Sequence, residues 1–175
     1  MKTFIIPFIG LKEGNHQFDY VVENTFFESY QYDETLDAKI NVHLDFVKKS
    51  TLLELNFDAK GEIKVSCDVT NEPYIEPIET KLNLVVKFGN EFNNENENIL
   101  IIPHSDCQLD VSQFIYEMLV LAVPVKKVHP GIEDGTLQSD ILDKLKELQP
   151  KENKINQDTD PRWSKLKDLL TDKKI

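Results

Sequence analysis

The chain is poor in the residues that carry most covalent and metal chemistry. Its two cysteines, Cys67 and Cys107, make neither a disulfide framework nor a four-ligand zinc site. Its six glycines are too scattered to build a phosphate-binding loop. His104, Ser105 and Asp106 are consecutive, so their side chains diverge, whereas a nucleophile–base relay needs groups brought together in space. Positive charge is also scarce: 20 Lys and Arg stand against 31 Asp and Glu, a formal net charge of −11. That balance excludes a protein gripping phosphate backbones over a broad surface, because displacing condensed counterions takes clustered Lys and Arg. No stretch approaches the roughly 18 apolar residues of a membrane span. The opening Met1 to Gly10 lacks a signal cleavage site, so a cytoplasmic, non-membrane location is expected.

What is present suffices for a core. With 40% hydrophobic residues in 175, the chain has material for one domain, or one domain with an appendage. Up to Val125 there are 9 basic and 21 acidic residues; beyond it, 11 basic and 10 acidic. The hydrophobic period changes near the same point, from two to helical spacing. The expected organisation is an acidic strand-rich body over 1–125, then a helical extension over 126–175 with a flexible linker around 150–159.

Within the body, Ala38, Ile40, Val42, Leu44 and Phe46 alternate with polar residues, which specifies a half-buried strand. Leu53, Leu55 and Phe57 repeat the pattern; Ala59-Lys60-Gly61 then offers turn chemistry, and Ile63 to Val69 resumes the alternation. Ile78 to Phe88 forms a further long strand, while Thr3 to Ile9, Phe18 to Val22 and Ile99 to Ile102 are shorter candidates. His16 falls in an expected turn, and His43 on the polar face between Asn41 and Asp45. Cys67 lies on an apolar face as a small hydrophobe. The run from Gly89 to Asn98, with five Asn and three Glu, reads as a flexible surface loop; a cation site there lacks the spacing of a calcium loop.

A helix is expected from Asp110 to Val123, with Asp110 as N-cap, Gln113 completing a capping box and Leu109 stapling to Phe114. Apolar on nearly every side, it belongs against the inner face of the sheet. Cys107, just before it, is placed where a helix N-terminus lowers a thiol pKa. A second helix is expected over 138–149. A third opens at Asp160-Pro161-Arg162-Trp163, with Pro161 at the first helical position. The fold class is thus α+β: a twisted, mostly antiparallel sheet of five to seven strands, open or partly closed into a barrel, packed on one buried helix with helices after it.

Two segments are explained only in part by local structure. One is the basic run Lys126-Lys127-Val128-His129-Pro130; the other is Arg162-Trp163, which either packs the last helix back on the body or forms a binding hot spot. Lys126, Lys127, His129, Arg162, Trp163 and Lys165 are the candidate contacts to a partner or to RNA. No catalytic, cofactor or metal residue is assigned.

The order Gly61-x-Ile63-x-Val65-x-Cys67-Asp68, the helix ending Leu121-Ala122-Val123-Pro124, His129-Pro130-Gly131 and Asp160-Pro161-Arg162-Trp163 resembles the bacterial YceD family, the large ribosomal RNA subunit accumulation proteins. The resemblance implies a non-enzymatic ribosome biogenesis factor that promotes accumulation of large-subunit ribosomal RNA. A basic large-subunit ribosomal protein or the pre-ribosomal particle is the implied partner; in many bacteria the gene of a small basic protein of that subunit lies beside the family's. Many members carry Cys-x-Arg-Cys where this chain has Cys67-Asp68-Val69-Thr70, and a second cysteine pair near Val128-His129-Pro130-Gly131. If those cysteines bind zinc, Cys67 and His129 alone cannot replace them. An acidic interaction module unrelated to ribosomes is the alternative reading.

Overall fold

The computed structural model describes residues 4–96 and 98–148. The chain divides into two compact units, one ending at Leu137 and the other starting at Gln138.

Three long strands carry the first unit. β3 (Thr35–Lys48) follows β1 (Ile5–Ile6), β2 (Gly14–Glu23) and a short helix α1 (Asn24–Ser29). On β3 the apolar set Ala38, Ile40, Val42, Leu44 and Phe46 is buried, while Asn41 and Lys39 between them are exposed. β4 (Leu52–Ser66) and β5 (Pro73–Gly89) continue the antiparallel meander. β7 (Ile99–Pro103) then pairs parallel with β5, and β6 (Asn93–Asn96) antiparallel with β7. The open six-stranded order is β2-β3-β4-β5-β7-β6. A small second ladder joins β1 to β8 (Leu109–Asp110). The expected mostly antiparallel sheet is therefore present, and it is not closed into a barrel.

The expected turn at Ala59-Lys60-Gly61 does not exist. β4 runs straight through it, with Gly61 opposite Ile40. A Cβ on Gly61 would lie 2.3 Å from the Lys39 carbonyl oxygen and 2.5 Å from the Ile40 Cα. Glycine here permits close approach of two strands rather than chain reversal. Two further expectations fail locally. His16 lies within β2, its Nε2 2.8 Å from the Lys12 carbonyl oxygen. The Asn- and Glu-rich run is not a plain loop, because Asn93–Asn96 forms the edge strand β6. All four residues of β6 are exposed, so pairing to the half-buried β7 supplies what their side chains cannot.

Helix α2 (Ser112–Ala122) packs against β5. Ile115, Met118 and Leu119 are buried, and Tyr116 stacks on Tyr30 with centroids 4.2 Å apart. Asp110 is not the N-cap: that position falls to Val111, which makes no side-chain cap bond, while Asp110, at the end of β8, accepts from the Ser112 N–H through Oδ1 at 2.9 Å. Gln113 does not complete a box, because its amide donates to Glu117 at 2.8 Å instead. Nor is the helix buried nearly all round: Gln113, Glu117 and Leu121 form an open stripe, with Leu121 85% exposed. Cys107 is exposed and separated from α2 by β8, away from the helix terminus. Pro124 follows the helix as expected, and α3 (Pro130–Glu133) begins soon after.

In the second unit, α4 (Asp140–Leu148) realises the helix expected over 138–149, with Ile141, Leu145 and Leu148 exposed. The linker expected around 150–159 and the helix opening at Asp160 lie outside the described residues. Among those described, no helix is long and apolar enough to cross a membrane.

Candidate functional site

β4 leads through Cys67–Asn71 into β5 by a tight turn. The Asn71 N–H donates to the Cys67 carbonyl at 2.8 Å, and Asn71 adopts the left-handed φ of 59° that asparagine tolerates. The basic run lies along this turn. Asp68 N–H donates to the Lys127 carbonyl at 2.8 Å, Lys127 N–H donates to Asp68 Oδ2 at 2.7 Å, and His129 N–H donates to Cys67 Sγ at 3.3 Å. The His129 ring lies 5.5 Å from that of Tyr74, and its Nδ1 accepts from the Gly131 N–H, capping α3. In the neutral ring the proton therefore sits on Nε2.

Burial would push the Cys67 thiol up. Hydrogen bonds from the Thr70 hydroxyl and from the backbone of His129, Thr70 and Val69 outweigh it and bring the thiol below its ordinary value. Cys67 is only 2% exposed. Cys67 and His129 do come together, yet among the described residues no group of three or more His, Cys, Asp or Glu is arranged to hold a metal.

The candidate contacts differ in their surroundings. Lys126 is exposed. The Lys127 side chain is 15% exposed, and its ammonium donates to Glu34 Oε2 at 2.6 Å. That bond holds the Glu34 carboxyl below its usual range. Lys127 thus fastens the segment to the body through backbone and side chain together. His129 is half-buried. Arg162, Trp163 and Lys165 lie outside the described residues.

The solvent face of the sheet is charged but largely self-compensating. Register aligns Asp19, His43, Asp58 and Lys81 across β2 to β5. His43 Nδ1 is 2.7 Å from Asp19, Lys81 is 2.8 Å from Asp58, and Lys60 is 2.8 Å from Glu79. Hydrogen bonding to Asp19 raises the His43 pKa, and the Lys81 ammonium lowers that of Asp58. His43 is therefore tied to Asp19 by a hydrogen bond at its Nδ1.

Residues 1–87 hold 9 Lys and Arg against 15 Asp and Glu, and an equal acidic excess is carried by a shorter stretch with no basic residue at all. From Phe88 to Val125 the chain contains six Asp and Glu and no Lys or Arg. These residues build β6, β7, β8 and α2, which with part of β5 enclose a cleft of about 980 Å³. Strand alternation and helix stripes did not mark this cleft, because its walls come from elements distant in sequence. The readable signal was the unbroken absence of Lys and Arg.

A family model described as the large ribosomal RNA subunit accumulation protein YceD matches residues 55–170. No curated protein and no solved structure matches the chain. The family is named for accumulation of an RNA, not for a reaction. The matched span takes in β4 from Leu55 onward, β5, α2, the Cys67 turn and the basic run laid along it. The chain belongs to the YceD family, which ties it to accumulation of the RNA of the large ribosomal subunit.

Proposed function

We propose that the protein is a non-enzymatic ribosome biogenesis factor that promotes accumulation of large-subunit ribosomal RNA by holding a basic ribosomal protein or the pre-ribosomal particle. The observation that carries this reading is the uncompensated acidity of residues 88–125 in a chain of this family. Such a surface repels bare RNA, attracts cationic proteins at long range and releases them when a stronger polyanion competes. Ribosomal RNA is that polyanion, so a basic protein carried on the cleft side is handed on where the two meet.

The exposed Lys126 offers limited contact to RNA beside the anchored Lys127 and His129. The reading extends to Arg162, Trp163 and Lys165 by their sequence pattern. No cofactor is needed for such a role, and a cytoplasmic location fits it.

Affinity purification of the tagged full chain from growing cells at moderate salt tests this function. Co-purification of large-subunit precursor RNA or large-subunit proteins is expected. Recovery of neither contradicts it. An acidic interaction module unrelated to ribosomes instead predicts partners with no ribosomal component.

A further inference from the structure

The cleft walled by α2 and the β5–β7–β6 region combines three features. The first is an open strand edge. Val85 N–H donates to the Asn98 carbonyl at 2.9 Å, so the backbone groups of Val85 face β7. Stepping back by two along β5, those of Asn83, Lys81 and Glu79 face the same way. β7 extends only as far as opposite Val85, and among the described residues no backbone partner stands against these three. Pro77, next in that phase, has no N–H to offer and bounds the open edge.

The second feature is an apolar lining beside that edge. Leu82, Leu84, Leu100, Ile102, Phe114 and Met118 contribute to it. Phe92 and Leu121, also in the lining, are 59% and 85% exposed. The third is the charge of the rim. Glu95, Asp106, Asp110 and Glu117 line the cleft, and among the described residues none of them joins an ion pair. The one basic residue in the lining, Lys81, is held by Asp58 on the solvent face.

We infer that this cleft binds an extended, basic segment of a partner protein, in which apolar residues alternate with Lys or Arg, by adding it as a strand to β5 at Glu79–Asn83. Backbone pairing supplies register, alternate apolar side chains enter the lining, and the cationic ones meet the rim. A helical ligand would leave the edge unpaired, and RNA would meet unpaired carboxylates. The inference rests on the proposed function for the nature of the partner and adds where and in what conformation that partner sits.

The test uses the full chain and a short fluorescein-labelled peptide of alternating Val and Lys, read by anisotropy. Controls are the same residues rearranged to helical periodicity, a version with Ser for Val, and an oligouridine. Selective binding of the alternating peptide is expected. Glu95→Lys with Glu117→Lys should weaken it by about tenfold or more, as should Asn83→Pro, which removes an N–H facing the edge and none facing β4. Circular dichroism confirms that each variant is folded. A variant that fails this check is replaced by amide shifts of residues 79, 81 and 83 on titrating the wild type. Equal binding of the helical-pattern peptide, preference for oligouridine, no peptide binding, or unmoved edge amides overturns the inference. In depleted cells, full rescue of the RNA ratio by a folded Asn83→Pro protein overturns the cleft alone, whereas a normal ratio without the protein overturns the function itself.

Discussion

The His129 backbone N–H donates to the sulfur of Cys67 across 3.3 Å, joining residues 62 positions apart. This bond and the two Asp68–Lys127 hydrogen bonds, one between backbones and one from the Lys127 N–H to the Asp68 carboxylate, turn a basic surface segment into part of the structure. Cys67→Ala removes the sulfur without adding bulk to the buried site, leaves the His129 N–H without its acceptor, and should cost about 1–3 kcal/mol in urea denaturation. In the folded wild type, iodoacetamide should label exposed Cys107 and spare Cys67 until the protein is unfolded.

Neighbouring lysines should behave differently. Lys126→Glu changes an exposed charge and should leave stability within about 0.5 kcal/mol of wild type. Lys127→Ala removes the Glu34 partner and should cost about 0.5–1 kcal/mol near neutral pH, the exposure of Glu34 limiting the effect. Because the folded Glu34 carboxyl lies below its unfolded value, this contribution is present above the unfolded pKa and is lost as pH falls through the folded one. Denaturation curves of wild type and Lys127→Ala should therefore converge in acid.

The His43–Asp19 pair titrates in the opposite sense. Its folded pKa is raised, chiefly by the hydrogen bond to Asp19, so its stabilising contribution is present below the unfolded pKa and is lost as pH rises through the folded value. Asp19→Asn should lower the His43 pKa measured by NMR. An unmoved titration would show that the pair does not persist in solution.

Gly61 is the most sensitive small residue in the sheet. Gly61→Ala places a methyl group against backbone atoms of β3, which cannot rotate aside, and should destabilise by about 1–3 kcal/mol or more. Gly10, which has no atom within 4 Å of an added Cβ, is the control and should tolerate alanine in the same denaturation assay.

The central meander was legible because Ala38 to Phe46 and Ile78 to Phe88 bury one face at a strict period of two. The continuity of β4 was not, because glycine's use in turns and its use in close strand packing look alike in one dimension. The edge strand β6 was hidden for another reason: its stability comes from backbone pairing to β7, which composition does not record. Among the candidate contacts, charge located the 126–129 segment but not its division into an exposed Lys126 and an anchored Lys127. That division depends on Glu34 and Asp68, both distant in sequence. Likewise the charge count assigns acidity to the whole body, whereas register pairs part of the sheet face and the stretch beside the cleft has no basic residue to offset its carboxylates.

The central claim is that the protein supports accumulation of large-subunit RNA, and depletion tests it most directly. Total RNA from depleted and replete cells, resolved and quantified, gives the ratio of large- to small-subunit ribosomal RNA. The ratio should fall on depletion and return with the wild-type chain. A ratio that stays unchanged after the protein is gone would contradict the account.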